Sequence, residues 1–166
     1  MDIQQLSDLY AIQVLKAQYF RFMDTKQWDE FRDLFTADMQ LFIEDAPVPQ
    51  PDATPAFPSR DALLAHLTGA KPGKITIHQG HMPEITFVDA DNATGIWAMF
   101  DWVDDPGRGG AWQGYGHYHE RYTRGTDGKW RIAEVRLTRL RSNTVEPKLS
   151  ESSPRPGPNV VDSHSD

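Results

Sequence analysis

From Lys74 onward the chain changes period. Large apolar side chains recur at alternate positions through segments 74–88, 93–103, 111–124 and 129–141, and the breaks between them read DADN, DDPGRGG and GTDG. A period of two marks strands that bury one face, and breaks of that composition suit antiparallel turns and loops. A sheet built this way must cover its apolar face. The first half of the chain offers the cover. Residues 4–24 place Leu9, Ile12, Leu15, Tyr19 and Phe22 among other apolar side chains at spacings of three and four, which predicts a long amphipathic helix. Segment 24–35 predicts a second, with Trp28, Phe31, Leu34 and Phe35 as its apolar set and Asp24 or Thr25 as its cap. A short alternating strand follows at 38–45. The segment SRDALLAHLTG then predicts a third helix, with Ser59 as N-cap, Leu63, Leu64 and Leu67 on its buried side, and Gly69 as its stop.

The order is helix, helix, short strand, helix, then a strongly bent antiparallel sheet. The economical arrangement is an α+β cone: three helices from the N-terminal half pack on the curved sheet and enclose a pocket at its wide end. A pocket there is an ordinary ligand site. At 166 residues the chain is long enough for one core and short for two, so residues 1–142 are read as one domain. Residues 143–166 hold four prolines and many serines and read as a flexible tail. Five prolines between positions 47 and 58 make a stiff, extended loop that could act as a lid or shape the pocket.

Composition removes several kinds of chemistry. There is no cysteine, hence no disulfide, thiolate nucleophile or cysteine-bound metal. The net charge of −7 and the absence of a basic run disfavour nucleic acid as a partner. No stretch of 18 apolar residues suggests a membrane span, and the N-terminus lacks the basic start of a signal peptide, so a cytoplasmic location is expected. Aromatics on both faces of strand 93–103 suggest an oligomeric sheet contact, most simply a homodimer, with a trimer as the alternative. Five tryptophans and eight phenylalanines suit the wall of an apolar pocket and a small hydrophobic ligand.

Four ionisable residues stand where chemistry could use them. His78 follows KITI and therefore sits in an apolar strand, where an imidazole paired with a carboxylate is a common proton-transfer device. A satisfied structural histidine is the plainer alternative. His81 differs by three positions and so by face, unless Gly80 marks a bulge. Asp101 lies inside IWAMFDWV, where an unpaired buried charge is costly. An edge position with water access is its plainer reading. Asp24 is either a helix cap or the group that holds an imidazole in one tautomer. Tyr19 precedes it by five residues, about 140° around a helix, and is either core or a hydrogen-bond donor to substrate. His117 and His119 share one strand face with Arg121, a spacing that fits a solvated face as well as a metal. No metal is expected. The arginines at 131, 139 and 141 share one parity and Arg136 has the other; one of them could serve as an oxyanion partner.

Taken together, YAIQVLKAQYFRFMDTKQWDEFRDLFTADMQLFI, ITIHQGHMPEITFVDADNATGIWAMF and GYGHYHERYTRGTDGKWRIAEVRL resemble the SnoaL-like branch of the nuclear-transport-factor-two-like superfamily over about residues 5 to 142. The nearest functional likeness is to bile-acid 7α-dehydratase and its relatives, with scytalone dehydratase and hexachlorocyclohexane dehydrochlorinase further away. The resemblance implies a cone-shaped fold and a cofactor-free lyase of dehydratase type acting on a small polycyclic or aromatic substrate. Ketosteroid-isomerase-like isomerisation, polyketide cyclisation and a non-catalytic binding or assembly module are its alternatives. The site residues it implies are Tyr19, Asp24, His78, Asp101 and a late-strand arginine, Arg136 or, in another register, Arg139 or Arg141. No counterpart of the second strand histidine of scytalone dehydratase is present; Met99, Asp101 or Val103 stands near its place.

Overall fold

A computed structural model describes residues 2–70, 73–105 and 110–145. The long first helix, α1, spans Ile3–Thr25. Asp2 opens it with a reciprocal cap: its carboxylate accepts from Gln5 N at 2.8 Å, and Gln5 Oε1 accepts from Asp2 N at 3.1 Å. It closes at Lys26, whose φ of 62° is left-handed and whose N–H turns back to the carbonyls of Met23 and Phe22. Glycine or asparagine normally takes that position, and a lysine there costs on the order of 1–2 kcal/mol of backbone strain.

The second helix is shorter than its apolar spacing predicts. α2 covers only Trp28–Arg32, with Gln27 at its N-cap and no side-chain cap. Neither Asp24 nor Thr25 caps it: Thr25 Oγ1 donates to Arg21 O at 2.6 Å, and Asp24 turns to the sheet. Phe35 belongs instead to the strand β1, Phe35–Glu44, which starts earlier than expected because Phe35 is buried beside Phe31, ring centroids 4.9 Å apart. The third helix, α3 (Arg60–Thr68), forms as expected: Ser59 Oγ accepts from Ala62 N at 3.2 Å, and Gly69 is the C-cap.

The four later strands are β2 (Ile75–Phe87), β3 (Asn92–Asp105), β4 (Gly110–Arg124) and β5 (Trp130–Val145). The sheet order is β1-β5-β4-β3-β2. β2 to β5 form an antiparallel run, whereas β1 joins the far edge parallel to β5. β5 takes up residues 143–145, and the rest of the expected tail lies outside the described residues, as do four residues of the DDPGRGG break. The irregularity near Gly80 lies elsewhere. The register of β2 shifts between His81 and Glu84, where Met82 has a φ of 44°. Gly80 has a different role, since a Cβ there would lie 2.6 Å from the Phe20 ring of α1.

The inner face of the sheet meets α1 through Ile12, Leu15, Tyr19 and Phe22 against Trp97, Tyr118, Tyr122 and Val135. One charged pair lies inside this layer. Lys16 is fully buried, its Nζ is 2.5 Å from Glu120 Oε1, and it stands over the Tyr118 ring at 3.6 Å and the Tyr19 ring at 4.1 Å. Glu120 also accepts from the Tyr122 hydroxyl, which accepts from Trp97 Nε1 at 2.8 Å. Burial holds the Lys16 amine below its ordinary pKa, with Glu120 opposing the shift. The proline-rich loop is tied down rather than free. Leu41 and Phe57 exchange backbone bonds at 2.9 and 3.1 Å, and Gln50 N donates to Glu44 at 2.5 Å.

Removing one partner of a buried pair leaves the other charge stranded. Lys16→Met is expected to lower the unfolding free energy by about 3–5 kcal/mol, and Lys16→Met with Glu120→Gln should recover most of it. Guanidinium denaturation measures both; a loss under about 1 kcal/mol would mean that Glu120 needs no cation here.

Candidate active site

The last turn of α1 points Asp24 at β2. Its Oδ2 accepts from the backbone N–H of His78 at 2.9 Å, and its Oδ1 lies 2.6 Å from His78 Nδ1 and accepts from Thr76 Oγ1 at 2.9 Å. A carboxylate only accepts, so Nδ1 carries a proton, and in the neutral imidazole Nε2 keeps its lone pair. Lys26 Nζ donates to the same Thr76 hydroxyl at 2.7 Å and to Met23 O at 3.2 Å. Burial lowers the pKa of Lys26, and the nearby Asp24 charge opposes that.

Across the sheet His78 pairs in register with Asp101, and Asp101 with Gly114. Cross-strand partners share a face, so the imidazole and the second carboxylate both point inward. Asp101 is 2% exposed, and the edge-strand reading of it fails, since β3 lies between β2 and β4. Its charge is met by Arg139, whose Nη1 donates to Oδ1 at 2.8 Å. The guanidinium reaches it by passing over Gly114. A Cβ there would lie 1.6 Å from Arg139 Nη1 and 2.2 Å from Asp101 Oδ1.

Two tyrosines complete the floor. Tyr19 and Tyr118 are buried with rings 6.1 Å apart, and among the described residues the Tyr118 hydroxyl has no hydrogen-bond partner. Burial raises both phenols well above their ordinary pKa. For Tyr19 the anions Glu120, Asp101 and Asp24 add to the shift. Both therefore stay protonated near neutral pH and can act as donors.

The structure thus brings Tyr19, Asp24, His78 and Asp101 together, and it does not bring Arg136. That guanidinium lies over the Phe42 ring at 3.9 Å and bonds Glu44 at 3.1 Å, Glu134 at 3.2 Å and Gln50 O at 3.1 Å, pinning the proline-rich loop. The reason is a bulge. Arg121 faces Glu134 but Tyr122 faces Ile132, so Ala133 is an extra residue in β5. Inward positions therefore switch from Trp130 and Ile132 to Val135, Leu137 and Arg139. Parity separates Arg136 from Arg139 in the sequence; only the bulge decides which faces in. Arg141 bonds Asn143 on the exposed end of the strand.

Tyr19, His78, Asp101 and Arg139 line an inner cavity of about 180 Å³ with Tyr118, Leu137, Trp112 and Phe57 among its walls. An outer chamber of about 250 Å³ adjoins it, and His78, Met23, His66, Leu67 and Lys74 border both. Among the described residues no group of three His, Asp or Glu side chains is placed to hold a metal ion. His117 and His119 sit 6.1 Å apart on the outer face, and His119 Nε2 is 3.2 Å from Thr138 Oγ1. Sequence reasoning missed Tyr118 and Lys26. Tyr118 shares parity with Glu120 and Tyr122, opposite His117 and His119, and parity alone does not say which face is buried; nothing in the sequence marked Lys26.

Gly114→Ala is expected to cost about 1–3 kcal/mol by forcing the Asp101–Arg139 pair apart. In an Arg139→Ala background the same change should cost much less, and urea denaturation of the four proteins completes the cycle. Equal costs in both backgrounds would mean that the glycine answers to something else.

Comparison with known proteins agrees with this architecture. The SnoaL-like domain matches residues 4–136. A hexachlorocyclohexane dehydrochlorinase of LinA type 2 superimposes with a TM-score of 0.72 at 18% identity, covering 97% of this chain and 100% of that one. A scytalone dehydratase-like protein of Novosphingobium aromaticivorans gives 0.70 at 19%, covering 94% and 99%. Rv3472 of Mycobacterium tuberculosis, a protein of unknown function, gives 0.66 at 26%, covering 82% and 74%. The strand order, the helices laid over the inner face and the match across most of the chain lead to one assignment: this protein belongs to the SnoaL-like domain family.

Proposed function

We propose that the protein is a cofactor-independent lyase that eliminates water, or a comparable leaving group, from a small ring compound. The observation that carries the reading is the 2.6 Å contact between His78 Nδ1 and Asp24 Oδ1, with His78 at the wall of a cavity that Tyr19 and Tyr118 also line. His78 Nε2 takes a proton from a carbon next to a carbonyl or conjugated system. The electron pair of that C–H bond becomes the new double bond as the leaving group departs with the electrons of its own bond, and a departing hydroxide takes up the proton held by His78 to leave as water. Asp24 keeps the imidazole oriented and offsets its positive charge while it holds the proton. Tyr19 and Tyr118 donate to the oxygen on which negative charge develops, which is where most of the barrier reduction arises. Arg139, fixed by Asp101 and lying over Trp112 at 4.8 Å, adds cationic character at the same end. The dehydrochlorinase and the dehydratase-like protein among the structural neighbours are named for eliminations, which favours this reaction over isomerisation or cyclisation.

A second copy of the chain is proposed to cover the outward face of the sheet. Ile77, Ile96 and Tyr115 are exposed there beside half-buried Phe100 and Trp102. Sedimentation should return a dimer or trimer mass that Ile96→Glu lowers to the monomer; a wild-type monomer at micromolar concentration would remove the proposal.

The catalytic test screens small cyclic β-hydroxy carbonyl compounds for loss of water by mass spectrometry. On any substrate found, His78→Ala should stay folded and lose about 10²–10⁴-fold in kcat/KM. Asp24→Asn and Arg139→Ala should also fall, while Arg136→Ala should not if its loop stays ordered. Retained turnover in His78→Ala would remove the imidazole from the mechanism, and a product of unchanged mass would move the reaction to the isomerases.

A further inference from the structure

The outer chamber differs in character from the inner one. Lys26, Lys74, His66, Trp28, Thr76 and His78 line it, and no Asp or Glu does so among the described residues. In a chain with a net charge of −7, such a wall runs against the composition. Lys74 has a carboxylate nearby, Asp105 at 3.6 Å. Lys26 lies in the field of Asp24 but does not bond it: among the described residues its Nζ gives two hydrogen bonds, both to neutral oxygens, Thr76 Oγ1 and Met23 O. An ammonium has three donors, so among the described residues one remains for the chamber. The backbone makes a second, independent point. Lys26 occupies a left-handed position that glycine would take without strain, and such strain persists where the side chain is needed.

Size bears on the ligand as well. An apolar cavity of about 150 Å³ holds a benzene. The inner cavity, about 180 Å³, is near that scale, so it suits one ring or a compact bicycle rather than a tetracyclic skeleton. A longer molecule would have to extend past His78 into the outer chamber.

We infer that the substrate is a one- or two-ring acid whose ring lies in the inner cavity and whose carboxylate lies in the outer chamber on Lys26. The inference rests on the lyase reading for the word substrate, and on the two chambers alone for the binding mode. It narrows the polycyclic expectation and places the bond to be broken at the junction, where His78 borders both spaces. Burial depresses the Lys26 pKa, so an anion arriving beside it would find a poorly solvated cation and strengthen its charge. Lys26 is in this account a binding residue and no part of the proton transfer.

Two probes of one shape test it by calorimetry: 2-naphthoate and its neutral amide, 2-naphthamide. Wild-type protein should bind the acid at least about tenfold more tightly, the scale of one hydrogen bond to a charged group. Raising salt from about 0.05 M to about 0.5 M should narrow the gap, because the chamber is open to solvent. Lys26→Met and Lys26→Gly should both remove the preference and leave amide binding essentially unchanged. The glycine variant relieves the backbone, so a misfolded methionine variant does not decide the matter. Equal affinity for the two probes, a preference that survives both variants, failure of wild type to bind either probe, or loss of both probes together in a folded variant would each overturn the inference. Since the readout is binding, an inactive or an active His78→Ala protein bears only on the lyase reading.

Discussion

One carboxylate joins the helical layer to the sheet at the place where chemistry is proposed. Asp24 accepts three hydrogen bonds, and all three donors stand on β2: the Thr76 hydroxyl, the His78 backbone N–H and His78 Nδ1. Two of the three fix the strand to the end of α1, and the third fixes the imidazole. The group that docks the helix therefore also sets the ring orientation, and neither can move without the other. This coupling explains why α1 must stop where it does. The left-handed turn at Lys26 ends the helix just beyond Asp24 and returns the Lys26 side chain to Thr76, completing the polar junction.

Behind that junction, the inner face combines apolar packing with charges that are each met. Lys16 lies under both tyrosine rings with Glu120 beside it, and Asp101 is held by Arg139. Buried charges of this kind add little net stability. They fix geometry instead, holding Tyr19 and Tyr118 between two ion pairs, while burial keeps the two phenols protonated. The row His78–Asp101–Gly114 across three strands shows how the sheet serves the site. Two positions supply ionisable groups, and the third supplies the space through which Arg139 reaches in.

Much of this was legible in the residues. The change of period at Lys74 located the strands to within a few residues, because one buried face per strand leaves an alternating record. Ser59 and Gly69 bounded α3 through capping chemistry that depends only on near neighbours. His78 and Asp101 stood out as polar groups in apolar strands, and the structure places them inward as a cross-strand pair. What stayed hidden depends on contacts between distant segments. The parallel pairing of β1 with β5 leaves no mark in either strand alone. Phe35 reads as the next turn of a helix until its burial in β1 beside Phe31 is known. The bulge at Ala133 inverts the parity of β5, so the inward arginine is Arg139 rather than Arg136. Lys26 gave no signal at all, since a lysine after a helix is ordinary until its φ and its surroundings are known.

The orientation of one imidazole is the point on which the account turns. Nitrogen-15 NMR of the histidine side chains, assigned through His78→Gln, reads it directly. The account predicts that neutral His78 carries its proton on Nδ1, with a downfield, exchange-protected resonance that Asp24→Asn removes, and that Nε2 responds to ligands entering the cavity. A neutral His78 protonated on Nε2, or a spectrum indifferent to Asp24→Asn, would contradict it.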